Sequence, residues 1–429
     1  MSNKKTTPLK PKLRFPEFRD TSEWEEKTLL DVCKKITQGG TPDTTNSSFW
    51  NGQIEWLTPA EMGKTESYFI NSTKRKITSD GLKNCSSELL PINSVILSTR
   101  APIGHLAINS TEMAINQGCK GLIPKESTDC TFLYYILYNL KSCLINLGAG
   151  NTFKELSGSV LKKFTLSLPI YREQQKIADC LSSIDELITA ENKKLDALKT
   201  YKKGLMQQLF PAEGEIPPKL RFSEFQNAQE WKLYLLGSKS IKIGSGITPN
   251  GGEKNYKNNG RPFIRSQNVG WGELLLENVA FIDNATHLTF SATEIKENDV
   301  LLNITGASIG RSAIADKRIE GGNVNQHVCI IRVKLDELLP KLLNQYLLSE
   351  YGQNQIDGFQ AGGNRQGLNF SQIKSFSIPL PNTLQEQQKI SDCLSSIDEL
   401  ITAESKKLEA LNNHKKGLMQ QLFPSISEL

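Results

Sequence analysis

The chain has 429 residues, of which 38% are hydrophobic and 23% charged, with a formal net charge of +5. That length allows two or three domains with real cores, and the composition excludes disordered, collagen-like and disulfide-scaffold classes. The basic start MSNKKTTPLKPKLRF lacks the apolar stretch of a signal peptide, and the most apolar run, near Phe132 to Leu140, falls short of the roughly 20 residues a membrane helix needs. A cytoplasmic protein without a membrane partner is expected.

In chain order, PKLRF at Pro11 and Trp24 lead to a loop-like QGGTPDTTNSS. VILST then reads as a short buried strand and TFLYYILYNLKSCL as helix. The stretch Glu173 to Pro211 follows, with apolar residues stepping by four and three: Ile177, Leu181, Ile184, Ile188, Leu195, Leu198, Leu205 and Leu209. Glu191 and Lys202 interrupt the stripe. A sustained period near 3.5 predicts a coiled-coil seam, about 50 Å long at 1.5 Å per residue.

The order then repeats. PKLRF returns at Pro218, Trp231 answers Trp24, and Thr248-Pro249 answers Thr41-Pro42. GSGITPNGGEKN reads as loop, VLLNIT and CIIRV as strands, and LLPKLLNQYLLSEYGQNQI as helix. Glu386 to Pro424 repeats Glu173 to Pro211 at every position except Ala178/Ser391, Asn192/Ser405, Asp196/Glu409, Lys199/Asn412, Thr200/Asn413 and Tyr201/His414. Its seam is Ile390, Leu394, Ile397, Ile401, Leu408, Leu411, Leu418 and Leu422, interrupted by Glu404 and Lys415. Two diverged modules are thus each followed by a nearly identical helix. The expected class is α+β: two mixed modules joined by two long helices that pair as an antiparallel coiled coil, with a pseudo-twofold internal repeat. Two separate amphipathic helices, one on each module, are the alternative.

Little in the sequence suggests catalysis. Gly63-Lys64-Thr65 ends like a phosphate loop, but the glycine required five residues earlier is Thr58. GAGN at Gly148 and AGGNRQG at Ala361 are either anion contacts at a helix start or bare turns. No N-P-P or D-P-P tetrad of an amino-methyltransferase occurs. A nuclease trio of Asp283, Glu294 and Lys296 has no counterpart in the first module, where Pro91 stands opposite Lys296. The eight cysteines show neither CxxC nor zinc spacing, and the four histidines are scattered, so no metal is expected and the thiols read as reduced and at least half-buried.

What remains is a binding inventory of polar and basic residues beside aromatics. The first module offers Trp56, Thr58, Tyr68, Lys74, Arg75, Lys76, Ser98, Thr99, Arg100 and Lys120. The second offers Arg265, Ser266, Gln267, Asn268, Asn303, Thr305, Arg311, His327, Arg365 and Gln366. Side chains of these types read base edges and hold phosphates where a protein binds nucleic acid; a solvated loop surface is the alternative reading.

Four features carry a family resemblance, the first three being the W…L…V entry (Trp24, Leu29, Val32), the G-x-T-P turns (Gly39 to Pro42, Gly246 to Pro249), and PFIRSQNV from Pro262. A fourth is the ending F-x-[LI]-x-[LP]-P before EQQKI, at Phe164 to Ile177 and Phe376 to Ile390. Their order and duplication resemble the specificity (S) subunit of type I restriction–modification systems across essentially the whole chain. The resemblance implies target recognition domains at residues 11–170 and 213–383, and conserved spacer helices at 171–212 and 384–424. It implies a non-catalytic subunit that binds an asymmetric bipartite DNA site and directs adenine methylation and restriction by its partners. Those partners are two modification subunits and the restriction subunits; S-adenosylmethionine, ATP and Mg belong to them and no cofactor to this chain. The alternative is a coiled-coil adaptor that bridges protein partners without reading DNA.

Overall fold

The computed structural model describes residues 10–424 apart from 65–66, 150–154, 213, 250 and 361–366. The chain divides into two compact units: residues 1–194 with 405–429, and residues 195–404. Each unit therefore takes one module, the near half of one long helix and the far half of the other.

The first unit contains β1 (Glu25–Thr28), α1 (Leu29–Val32), β2 (Cys33–Gln38), β3 (Trp50–Leu57), α2 (Pro59–Met62), β4 (Phe69–Ile70), β5 (Lys76–Ile77) and α3 (Ser79–Lys83). It continues with β6 (Val95–Ser98), β7 (Leu106–Asn109), β8 (Met113–Ile115), β9 (Cys119–Pro124), α4 (Cys130–Asn139), α5 (Lys141–Ala149), α6 (Gly158–Lys162) and β10 (Thr165–Leu168), and then enters α7 (Tyr171–Leu209). Strands order as β2-β9-β6-β7-β4 in one sheet, β5-β3-β8 in a second and β1-β10 in a third. The run VILS of β6 is buried at every position, because it is a central strand with both faces covered.

The second unit repeats the plan. Its elements are β11 (Lys232–Leu235), β12 (Ser240–Ser245), β13 (Arg261–Ile264), β14 (Ala280–Ile282), α8 (Asn284–Thr289), β15 (Val300–Asn303), β16 (Ser312–Ile314) and β17 (Asn323–Val324). They are followed by β18 (Val328–Val333), α9 (Pro340–Leu348), α10 (Glu350–Gly358), α11 (Phe370–Lys374), β19 (Ser377–Leu380) and α12 (Leu384–Leu422). The sheets run β12-β18-β15-β16, β14-β13-β17 and β11-β19. Each matches its counterpart in the first unit, strand for strand, except that β4 has no equivalent. The expected α+β class and strands agree with this arrangement, but each run read as one helix is two, α4 and α5 broken at Leu140, and α9 and α10 broken at Ser349.

The long helices are locked into their units by the EQQKI residues. Glu173 is 1% exposed, and its carboxylate receives Arg14 Nε at 2.8 Å, Arg14 Nη2 at 2.7 Å and Trp24 Nε1 at 3.4 Å. Glu386 is held likewise by Arg221 at 2.7 and 2.8 Å and by Trp231 Nε1 at 3.0 Å. The neighbouring carboxylate raises the pKa of each arginine above its ordinary value. Gln174 and Gln387, also buried, accept from the amides of Asp129 and Leu339 and donate to the carbonyls of Pro169 and Glu337. A charged or amide group buried this deeply is stable only with its partners in place, so these contacts fix the angle at which the helix leaves the module.

Within each unit the two helix halves run antiparallel. In the first, Asp185 pairs with Lys415, and Glu191 with Lys407 nearer the opposite end of the α12 half. In the second, Lys202 Nζ lies 2.7 Å from Asp398 Oδ1. The seam expected from spacing is only partly a helix–helix seam. Ile177 and Leu181 belong to the module core with Trp24, Phe132, Met419, Leu422 and Phe423. Ile390 and Leu394 belong to the second core with Trp231, Met206, Leu209 and Phe210. Ile184, Leu195 and Ile397 are buried; Ile188, Leu198, Ile401, Leu408 and Leu411 are half-buried. Met206 and Met419 join the buried face, a contribution the count of leucines and isoleucines passed over. Among the described residues, no helix is long and apolar enough to cross a membrane.

Candidate nucleic-acid interface

In both modules the polar loops gather at the end of β2 or β12, where the G-x-T-P turn leaves the sheet. The first glycine is dictated by space. A Cβ on Gly39 would fall 1.9 Å from Asn116 O, and one on Gly246 would fall 1.6 Å from Val324 O. The threonine that follows clamps the turn: Thr41 bonds Gln117, with Asn116 Nδ2 donating to both at 2.9 and 2.8 Å, and Thr248 bonds Gln326. Asn116-Gln117 and Asn325-Gln326 are therefore the far side of this clamp.

In the first module, Trp56 is buried and its Nε1 donates to Gly40 O at 2.9 Å, so it supports the turn and does not face a ligand. Trp50, which the sequence inventory omitted, donates to Asp43 O at 3.0 Å and stands edge-to-face with Trp56. Arg75 lies over Trp50, its Cζ 3.8 Å from the ring centroid and 5.1 Å from that of Trp56. Thr58 bonds Glu61, and Glu61 also accepts from Lys74 N at 2.7 Å, which pins the turn that carries Lys74 and Arg75. Arg100 pairs with Glu155 at 3.1 Å, and Lys76 with Glu55 at 2.6 Å.

Other expected contact residues point inward. Ser98 and Thr99 are wholly buried: Ser98 Oγ donates to Pro102 O at 2.7 Å, and Thr99 Oγ1 lies 3.4 Å from Gly118 O. Lys120 is 8% exposed and donates to Gln38 Oε1 at 3.2 Å; burial lowers its pKa. Tyr68 sits away from this edge, stacked on Tyr134 at 4.6 Å. These side chains shape loops or fill the core instead of presenting atoms to DNA. Strand ends that look loop-like in sequence are closed over by neighbouring turns.

The second module is built differently at the same place. Arg265 is tied down: Nη2 donates to Asn278 O at 2.9 Å, Nη1 reaches Glu253 at 3.4 Å, and Tyr256 lies below it at 5.4 Å. Asn268 and Asn303 are buried, Asn268 bonding Leu275 O and Asn303 bonding Ser266 O, each at 2.8 Å. Buried and bonded to loop carbonyls, both support the edge and, contrary to expectation, do not present atoms to a ligand. His327 Nδ1 meets Thr305 Oγ1 at 2.5 Å, and its Nε2 meets Gln326 at 3.1 Å. Ser266, Thr305, Arg311 and His327 are half-buried, while Gln267 and Gln326 are exposed. Arg365 and Gln366 lie outside the described residues. Asp283 caps α8 through Thr286 N at 2.8 Å, and Glu294 is engaged by Arg261 and His287, so the carboxylates of the nuclease-like trio have structural partners. Burial pushes the thiols of Cys33, Cys119 and Cys329 up to about 12, which leaves them unreactive near neutrality.

Away from the loops, each long helix presents the same exposed residue. Leu187 is 51% exposed and Leu400, its counterpart, 56%.

The family model described as the type I restriction modification DNA specificity domain matches the chain twice, over residues 21–200 and 239–413. The chain is 26% identical over 427 residues to the type I restriction enzyme MjaIX specificity subunit of Methanocaldococcus jannaschii, covering 95% of each. It is 29% identical over 172 residues to the EcoR124I/EcoR124II specificity subunit of Escherichia coli, covering 38% of this chain and 42% of that one. In fold it is similar to the crystal structure of the type I restriction–modification S subunit from M. genitalium. The TM-score is 0.64 at 16% identity, covering 97% of this chain and 99% of the other. With both modules matched and most of its length covered, the chain belongs to the type I restriction–modification DNA specificity family.

Proposed function

We propose that this chain is the DNA-recognition subunit of a type I restriction–modification complex, each module reading one half of an asymmetric bipartite site in double-stranded DNA. The observation that carries this reading is the contrast between shared frames and unlike loop edges in the two units. The two modules share their topology and the joint to their helix, yet present different side chains at the same loop edge. Equal scaffolds with unequal edges suit two different half-sites held at one spacing. Loop edges carrying Arg, Lys and Gln side chains suit groove readout.

The helices suit a different ligand. Leu187 and Leu400 lie exposed within identical runs, SSIDELITAE, at equivalent positions. Two helices nearly identical in sequence suit docking by two copies of one partner, here the modification subunit that carries S-adenosylmethionine and methylates adenine. Restriction subunits, which use ATP and Mg, supply translocation and cleavage; this chain acts as a specificity subunit without catalysis of its own.

The test is to assemble the chain with its modification subunit and measure DNA binding against salt, then sequence the methylated adenines. A bipartite asymmetric motif with affinity falling steeply in salt is expected. Methylation without any motif contributed by this chain, or binding of partner proteins with no DNA affinity, would support the adaptor reading instead.

A further inference from the structure

The cations at the first module's loop edge differ in what holds them. Arg100 is committed to Glu155, Lys76 to Glu55, and Lys120 is buried against Gln38. Arg75 is exposed, and among the described residues no carboxylate pairs with it. Among the described residues its guanidinium is held by the aromatic faces of Trp50 and Trp56. The ring of Trp50 lies beneath it at 3.8 Å, and the indole N–H groups of Trp50 and Trp56 are anchored to the carbonyls of Asp43, just after the G-x-T-P turn, and of Gly40 within it. Its backbone is pinned as well: Arg75 O accepts from Trp56 N at 3.2 Å and from Thr73 Oγ1 at 2.7 Å.

A cation stacked on an aromatic ring spends its flat face on the ring and keeps its row of N–H donors for a partner. That row matches the two acceptors, O6 and N7, which guanine alone places side by side in the major groove. Because platform and turn are fixed before DNA arrives, little side-chain entropy is lost on contact. The exposed Lys74 beside it suits the adjacent phosphate. In the second module the described Arg265 differs, since its donors already reach Asn278 O and Glu253.

We infer that Arg75 reads a guanine in the half-site of the first module, with Trp50 as its positioning residue. This rests on the function proposed above and names the base and the side chain within it. The complete complex is assembled with the parent chain, Arg75→Lys, Arg75→Ala and Trp50→Leu, and each methylome is sequenced. In both Arg75 variants the preference for one guanine in one half-site should fall by roughly 5- to 150-fold. The other half-site and the gap should stay as they were. Trp50→Leu should relax the same position, because it removes the platform and not the guanidinium. If Arg75→Ala yields no methylation at all, Arg75→Lys decides, since it keeps the charge and the stem but loses the fork. An unchanged motif in Arg75→Lys, or a uniform loss of methylation with every letter kept, as a phosphate contact would give, overturns the inference alone. A parent complex with no bipartite motif overturns the function and this inference with it.

Discussion

The two units are most alike at the joint between module and helix and least alike at the loop edge, with an intermediate case between. At the joint, Arg14, Trp24 and Glu173 are matched by Arg221, Trp231 and Glu386 residue for residue. Along the helix, Asp185 meets Lys415 and accepts from Tyr135 at 2.6 Å, whereas Asp398 meets Lys202 and accepts from Gln345 at 2.7 Å. At the edge, an arginine stacked on tryptophan faces outward in one module, and an arginine tied to a carbonyl and a glutamate stands in the other. Groups that hold the frame are constrained by one shared geometry; groups that read a ligand are free to differ.

The joint should show the largest effect. Glu173→Ala strands the Arg14 guanidinium, 9% exposed, without its carboxylate, and Glu386→Ala strands Arg221, 11% exposed. Each should cost about 3–5 kcal/mol in chemical denaturation. Equal costs confirm equivalent joints; one loss under half the other breaks the comparison.

Next come the aromatic plugs. Phe423 stands 6.3 Å from Trp24 and 5.7 Å from Phe132, and Phe210 stands 5.4 Å from Tyr346. Phe423→Ala and Phe210→Ala should each cost about 3–5 kcal/mol by the same measurement, the lower end marking whichever pocket collapses better.

The intermediate node should separate the units. Asp185 is 17% exposed and Asp398 is 41% exposed. Loss of Lys415 therefore leaves a carboxylate that water reaches poorly, while loss of Lys202 leaves one that water can satisfy. Lys415→Met should cost about 1.5–3 kcal/mol, and Lys202→Met less than about 1 kcal/mol. The reverse order would mean that Tyr135 alone suffices for Asp185.

The smallest effect is expected at Arg100, which spacing alone would rank beside Arg75 as a reader. It is 49% exposed in its pair with Glu155, so Arg100→Ala should change stability by less than about 1 kcal/mol. In the methylome it should relax specificity less than Arg75→Ala does.

The frame was legible in sequence because periodicity reports burial. Steps of four and three gave the helices, and β-branched runs such as VILS gave the central strands. The joint was visible only as the motif EQQKI and not as a mechanism, since a buried glutamate has no period and its arginine lies far earlier in the chain. The edge was the least legible part. Ser98, Thr99, Asn268 and Asn303 look like loop readers by residue type, but whether such a side chain points out or in depends on turns distant in sequence. In sequence Arg100 looks as available as Arg75 because nothing marks Glu155 as its partner, and Trp50 escapes notice because its role exists only once Arg75 lies across it.

The central claim is that each unit is an equivalent frame carrying an independent reader. Its most direct test is a chain in which the first module, residues 11–170, is replaced by a second copy of the other, residues 218–383, assembled with its modification subunit and followed by methylome sequencing. The matched joints predict an active complex that methylates a symmetric site, made of the second half-site twice in inverted orientation. A well-folded complex that still methylates an asymmetric site, or one in which the retained half-site also changes, would contradict the account.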